Sequence, residues 1–295
     1  MNRKPKIYAQ GFENIIYKPQ FECINEEGNN PAFELSRMSR YEYYNQQDFI
    51  DANEIMDEID PTFIFHAKWA PCKINDTDND VKIVNMENSG TSLNNVLRYP
   101  PSDFYIMLIL FELLRPLIDI VNCYNKGYQR ADDLNDGNIV FDFAKVKMVF
   151  IDQKTKPLST TPENKQLIIS HCMQVINKAL PLIELLQMPE KDVFMMKLLE
   201  INNLLESPTH EPIDFVKNYL NFIEYCYKEY YPKIHESSDK ALLFYTTKTE
   251  LTLLAKRLFP ELEDKPIIFD LSRKRKNGGK RKTRNRRKTR KSKFI

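Results

Sequence analysis

Glycine is scarce in this chain. Seven occur in 295 residues, and two of them (Gly278 and Gly279) lie in the last 23 positions, so five glycines serve all the turns before that. Cysteine is sparse and scattered: Cys23, Cys72, Cys123, Cys172 and Cys226 form no C-x-x-C pair, and the number is odd. That pattern argues against a structural zinc site and a secreted disulfide framework, and it points to a reducing compartment. The four histidines share no metal-ligand spacing, so they read as structural or surface residues. The longest apolar run, Phe104 to Leu114, is interrupted by Glu112 and closed by Arg115-Pro116. It is too short to span a bilayer and reads as a buried helix, so the expectation is a soluble protein without a transmembrane segment. The basic start, Met1 to Lys6, is followed by no apolar signal core.

Acid is absent from the C-terminal end. From Arg273 to Lys293 there are 14 lysines and arginines and no Asp or Glu, while the rest of the chain holds 29 basic against 41 acidic residues, a net charge of −12. An acidic body therefore carries a basic tail. The tail has no apolar periodicity and contains Gly278-Gly279, which predicts disorder over 272–295.

Ahead of the tail the chain divides in two. Residues 6 to 38 carry three short β-forming runs, around Ile7-Tyr8, Ile15-Ile16-Tyr17 and Ala32 to Arg37, separated at Gly11 and at the turn Glu26 to Pro31. Residues 41 to 59 read as a helix, ended by Asp60-Pro61. Phe63-Ile64-Phe65 and Val81 to Met86 read as two further strands. After Ser102 the pattern is helical, over 103–126, 163–187, 190–206, 211–229 and 239–258, with a small β-like region between Asn138 and Ile151. The expectation is a two-lobed α+β protein: a β-rich lobe over 1–88, with a five-stranded antiparallel sheet and one helix, and a helical lobe over 89–271. Single Trp69 reads as packing, as do Tyr219, Phe222, Tyr225, Tyr227, Tyr230 and Tyr231 on a helix face.

The chemistry-bearing stretch is Asp133-Leu134-Asn135-Asp136-Gly137-Asn138, followed downstream by Ile151-Asp152. Phosphoryl transfer needs a carboxylate to orient the attacking hydroxyl and hard oxygen ligands to hold magnesium against the phosphates. Asp133 and Asn138 stand five apart, the spacing in H-R-D-L-x-x-x-N, and Asp152 follows the apolar strand Val146 to Ile151 where the Asp-Phe-Gly element begins. Alone, Asp-x-x-x-x-Asn is a weak signal, because Asp136-Gly137 is an ordinary turn pair. Its place between an apolar helix and a strand ending in Asp152 gives it weight.

On these residues the chain resembles the protein-kinase-like superfamily, and most of all the kinase-like proteins of large nucleocytoplasmic DNA viruses. The resemblance covers residues 7 to about 155. Ala9 to Pro19 matches the register of the glycine-rich loop G-x-G-x-x-G-x-V, with Gly11 as its middle glycine and Ile16 at the valine position. Leu35-Ser36-Arg37 falls where the third strand carries its ATP-binding lysine, with Asp51 or Glu54 as the helix partner. Glu87 lies in the hinge-like stretch Asn85 to Leu93. Gly11, Gly90, Gly127 and Gly137 all fall at expected turns.

The resemblance implies ATP and magnesium as cofactors. It gives catalytic roles to Asp133 and Arg37, nucleotide contacts to Gly11, Ile16, Arg37, Glu87, Asn138 and Asp152, and metal ligation to Asn138 and Asp152. It implies a viral Ser/Thr protein-kinase-like phosphotransferase located in host cytoplasm or virion, with an unidentified protein substrate.

The chain departs from the pattern at several points: Arg37 stands for lysine, Asn14 for the third glycine, Ala131-Asp132 for His-Arg, and Gln153-Lys154 for Phe-Gly. Arginine keeps the charge but is larger and planar. Thr161-Pro162-Glu163 is a faint echo of Ala-Pro-Glu, and Ser159, Thr160 and Thr161 lie where an activation loop would be. These departures keep three alternatives open. One is an inactive pseudokinase acting as scaffold or virion component. Another is a small-molecule phosphotransferase of the aminoglycoside or choline kinase type, since Asp133 to Ile139 fits Asp-x-x-x-Gly-Asn-Ile equally well. The third is a nucleic-acid-associated structural protein acting through its tail. Fourteen positive charges bind nucleic acid or other polyanions by counterion release without sequence specificity, and such a run also serves as a nuclear targeting signal.

Overall fold

Five short strands build an antiparallel sheet at the N-terminal end of the chain. The structure is a computed structural model, and it describes residues 4–10, 14–23, 33–39, 44–45, 55, 58–72, 80–81, 83–130, 134–151, 155–158, 161–205, 210–234 and 238–262. The strands of this half are β1 (Lys6–Gln10), β2 (Asn14–Lys18), β3 (Leu35–Ser39), β4 (Tyr44–Asn45), β5 (Trp69–Cys72), β6 (Asp80–Val81) and β7 (Ile83–Met86). The sheet runs β1-β2-β3-β7-β5, and β4 pairs with β6 beside it. Counting only the strands of the large sheet, the order is 1-2-3-5-4.

Alternation along β3 and β7 sorts their side chains. Ser36 and Asn85 are fully buried partners on one face, where the Ser36 hydroxyl bonds Asn85 Oδ1 and accepts the Phe21 amide at 2.7 Å. Cys23 and Cys72 close this face as a disulfide with Cα atoms 5.2 Å apart, packed with Ile83. The scattered cysteines thus include one pair that sequence spacing gave no reason to join. Cys123, Cys172 and Cys226 are free and buried.

Two expectations for this half change. Tyr44–Asn45 is a strand rather than part of a helix, while residues 55 and 58–59 are helical and most of the rest of 41–59 lies outside the described residues. Phe63-Ile64-Phe65 is not a strand. The Asp60 carboxylate accepts the amides of Ile64, Phe65 and His66, so those groups cannot join a ladder together, and the fourth sheet strand is β5 instead.

The second half begins with β8 (Thr91–Ser92) and α1 (Leu93–Arg98), whose first turn is capped by Ser92. Then follow α2 (Asp103–Glu112), α3 (Leu114–Asn125), β9 (Tyr128–Arg130), β10 (Ile139–Asp142), β11 (Lys147–Phe150) and β12 (Thr155–Pro157). Next come α4 (Pro162–Asn177), α5 (Ala179–Leu185), α6 (Lys191–Leu205), α7 (Pro212–Tyr230) and α8 (Ser238–Leu258). Two expected long helices are each broken in the middle, at Leu113 and at Lys178. In both cases proline is the cause. Pro116 and Pro181 have no N–H for the carbonyls of Glu112 and Asn177, four residues earlier.

Among the described residues the main core gathers around α2 and α3, whose Met107 to Phe111 are fully buried. Tyr219 of α7, fully buried, donates its hydroxyl to the Leu110 carbonyl at 2.8 Å. The aromatic residues of α7 pack as the sequence reading expected, with Tyr227 stacked on Phe244 of α8 at 5.7 Å. No helix among the described residues is long and apolar enough to cross a membrane.

The segment 58–68 joins the two halves. His66 bridges Phe150, the Phe150 amide bonds the Phe65 carbonyl at 2.8 Å, and the Ala67 amide bonds the Phe150 carbonyl at 3.1 Å. Lys126 reaches the Glu58 carbonyl at 2.7 Å, and Lys147 the Phe63 carbonyl at 2.8 Å. The fold is a two-lobed α+β arrangement, with an N-terminal five-stranded antiparallel sheet and a helical C-terminal lobe. The tail from 273 lies outside the described residues.

Candidate functional site

The loop between β9 and β10 is shaped by its own side chains. Buried Leu134 anchors it to the core. Asn135 turns back and accepts the amides of Gly137 at 2.7 Å and Asn138 at 3.0 Å through Oδ1, while its carbonyl accepts the Asn138 amide at 3.1 Å. This is an Asx-type turn, the conformation that Asn favours and that competes with regular structure. Asp136 fixes the loop from outside. Its carbonyl accepts the Asn94 amide at 3.0 Å, and its carboxylate pairs with Lys178 Nζ at 2.6 Å. Lys178 sits at the break between α4 and α5, so the proline-induced interruption has a use: it presents a lysine to the loop.

Asn138 then enters the β10–β11 hairpin. Ile139 pairs with Phe150, and the Asn138 carbonyl accepts the Ile151 amide at 2.9 Å. The register therefore sets Asn138 opposite Ile151, the residue immediately before Asp152. Glu112, the one charge in the apolar run, supports the hairpin from below. Its carboxylate accepts the Met148 amide at 2.9 Å and pairs with Arg115 at 2.8 Å, all three groups being buried.

The sheet above supplies the other candidates. Ile16 on β2 pairs directly with Arg37 on β3, and Arg37 pairs with Val84 on β7. Directly opposed residues share a face of the sheet, so Ile16 and Arg37 stand together, opposite the face carrying Ser36, Asn85 and the disulfide. Both are half-buried.

Glu87 follows β7 in the hinge stretch. Its amide donates to the Lys68 carbonyl at 3.0 Å, and its carboxylate takes Lys145 Nζ at 2.8 Å and the Lys68 amide at 3.2 Å. Burial pushes the Glu87 carboxyl up, but the Lys145 hydrogen bond, the Lys68 amide and the charges of Lys145 and Lys147 outweigh that and hold it below its ordinary range. The hydrogen bond to Glu87 raises the Lys145 ammonium, whereas burial followed by the charge of Arg115 lowers Lys147. Glu87 thus commits its side chain and its amide to the chain itself, and its carbonyl accepts the Ser89 hydroxyl at 3.3 Å. Gly90, three residues on, has φ +110°, a conformation side chains rarely adopt, and a Cβ there would fall 2.2 Å from the Phe141 carbonyl oxygen. Gly127 likewise has positive φ at the turn after α3.

The structure thus brings Asn138 to the end of β11 and Ile16 beside Arg37, and it places Glu87 directly after β7. Gly11, Asp51, Glu54, Ala131, Asp133, Asp152 and Gln153 lie outside the described residues.

Several residues that shape the site escaped sequence reading. Asn135, Asp136 and Lys178 hold the loop. Beneath the junction of the lobes, His66 lies between two buried carboxylates, with Nδ1 3.0 Å from Asp60 and Nε2 3.5 Å from Asp119. Asp119, a charge inside an apolar stretch, was the signal available for that network, since a buried carboxylate needs partners.

No family model matches the chain, and no curated protein matches it. Among solved structures, the apo form of a pseudokinase is similar at a TM-score of 0.49 and 6% identity, over 74% of this chain and 90% of that one.

One sequence landmark changes meaning. Thr161-Pro162-Glu163 is a helix start: Thr161 caps α4 by accepting the Asn164 amide, and Pro162 occupies the first turn. From Asp152 to Thr161 only eight residues intervene, and three of them form β12, paired with β9.

Proposed function

We propose that this chain is a kinase-like phosphotransferase that uses ATP and magnesium and acts on a small-molecule acceptor. The observation that carries the choice of acceptor is the short path from β11 through β12 to α4. In the protein-kinase pattern the stretch between the metal aspartate and Ala-Pro-Glu holds the activation loop. Eight residues with a strand among them leave no length for it, and the nearest sequence echo of Ala-Pro-Glu is a helix cap. This shifts the reading from the Ser/Thr protein kinase to the aminoglycoside or choline kinase type, whose Asp-x-x-x-Gly-Asn-Ile element fits Asp133 to Ile139.

In this reading Asp133 orients the acceptor hydroxyl and takes its proton as the γ-phosphoryl group passes to the acceptor oxygen and ADP leaves. Arg37 contacts the phosphates, beside Ile16 against the base. The Asn138 amide oxygen and the Asp152 carboxylate are hard oxygen donors of the kind magnesium takes, and they would hold it on the phosphates.

Labelled ATP with magnesium, offered a panel of aminoalcohols and aminosugars beside a peptide library, tests the proposal. Transfer to a small hydroxyl compound, lost in Asp152→Ala, is the expected result. Phosphorylation of peptides alone would overturn the choice of acceptor. Nucleotide binding without transfer to either class would favour the pseudokinase reading, which Arg37 in place of lysine supports.

A further inference from the structure

A groove of about 660 Å³ runs between α7 and α8 on the C-terminal lobe, on elements that contribute nothing to the candidate site. Its floor is apolar, made by Ile213, Leu220, Ile223, Leu253 and Leu262. Leu253 is 61% exposed there, and Tyr245, further along, is 51% exposed. Two large apolar side chains open to water in one channel are a surface that favours a cover.

The rim is basic. Lys228 and Lys248 are both paired with Glu224. Lys217, near the start of α7, and Lys256, in the last turn of α8, also line the groove, and neither has an ion-pair partner among the described residues.

The chain itself leaves from this groove. Leu262, the last described residue, is part of its wall, and the sequence continues Glu263-Asp264-Lys265-Pro266-Ile267-Ile268-Phe269-Asp270-Leu271. Two acids come first, at the end where Lys256 stands. An apolar trio follows Pro266, and a residue before proline favours extended backbone. Five extended residues reach about 17 Å, which matches the roughly 20 Å that α8 rises between Tyr245 and Leu258. Order, charge and reach all match the groove.

We propose that residues 263–271 lie in the α7–α8 groove, with Glu263 and Asp264 against Lys217 and Lys256 and with Ile267, Ile268 and Phe269 on the apolar floor. The basic run from Arg273 then starts at a fixed point on the C-terminal lobe. Tail-borne polyanions would be held beside α7 and α8 rather than at the candidate site.

Photo-crosslinking in the full chain tests this, with p-benzoylphenylalanine replacing Ile268. The expected result is crosslinking within one molecule to peptides of α7 and α8, independent of protein concentration. Crosslinks only between two copies, or only to peptides elsewhere, would overturn the proposal. So would a yield in the groove no higher than from the same probe at Lys282. Lys217→Glu with Lys256→Glu is expected to lower the yield about fivefold, the effect of losing two exposed ion pairs. Adding Glu263→Lys and Asp264→Lys restores it if the pairing is right, and failure of that rescue counts against the assignment.

Discussion

Replacing Asp60 by alanine should cost this protein about 4 kcal/mol of stability, as expected when one partner of a buried charged network is removed. Asp60 is 2% exposed and accepts four hydrogen bonds. Its Oδ1 takes the Ile64 amide at 2.6 Å, and its Oδ2 takes the Phe65 amide at 2.8 Å, the His66 amide at 3.2 Å and His66 Nδ1 at 3.0 Å. Each bond to a charged acceptor contributes roughly 1.5–3 kcal/mol net, and donors left unpaired in the interior cost more than the bond they lose. Four such bonds sum to at least roughly 6 kcal/mol, and partial relaxation of the loop, with water replacing part of the lost bonding, brings the loss down to about 4 kcal/mol. Against the roughly 5–15 kcal/mol that holds a typical domain, this is a large fraction. Asn is no rescue: its amide NH₂ would face donors, so Asp60→Asn should still cost at least about 2 kcal/mol. The assay is urea unfolding followed by far-UV ellipticity and by fluorescence of Trp69, the single tryptophan, which begins the strand just after this segment. A loss below about 1 kcal/mol in Asp60→Ala, less than one ordinary buried hydrogen bond network should give, would refute the idea that Asp60 ties the 60–68 segment to its place between the lobes.

Two further outcomes follow from the hinge. Gly90→Ala would place a Cβ 2.2 Å from the Phe141 oxygen and 2.8 Å from the Asp142 Cα, both backbone atoms that cannot rotate away, at φ +110°. Backbone strain together with overpacking predicts a loss of about 4 kcal/mol in the same denaturation assay, and a value within about 1 kcal/mol of the parent would contradict the close approach of hinge and β10. The Glu87–Lys145 pair sets a pH window. Glu87 is held below its ordinary value of 4.5, so its contribution is present above that pH and is lost as pH falls through the folded value. Lys145 is raised above 10.5, so its contribution is present below that pH and is lost as pH rises through the folded value. Glu87→Gln should therefore lower the melting temperature near neutrality and flatten the melting profile at both limits; unchanged limbs would show that the pair contributes nothing.

Much of the fold was legible because its signals are local. Ile15-Ile16-Tyr17 and Val81 to Met86 are β-formers bounded by turn residues, and they became β2, β6 and β7. The two helix breaks were legible too, since Pro116 and Pro181 forbid a continuous ladder, but apolar periodicity across them masked the effect. Phe63-Ile64-Phe65 misled for the opposite reason. Its residues favour a strand, yet the Asp60 carboxylate, four and five positions earlier, captured the amides of Ile64 and Phe65, and strand propensity carries no record of that side-chain contact. The Cys23–Cys72 pair joins positions 49 apart through sheet packing, which no spacing rule reaches. In the site, Asp136-Gly137 was legible as a turn pair, while the part Asn135 plays in it was not. The grip of Lys178 on Asp136 was not, because it depends on where the α4–α5 break falls in space.

The central claim concerns magnesium and nucleotide at the Asn138–Asp152 pair, and calorimetric titration with ATP reaches it most directly. The full chain, titrated with and without magnesium, should bind ATP more tightly with the metal. That magnesium dependence should disappear in Asp152→Ala and weaken in Asn138→Ala, with far-UV ellipticity unchanged in both. Equal affinity with and without magnesium in the parent, or full magnesium dependence retained by Asp152→Ala, would contradict the account.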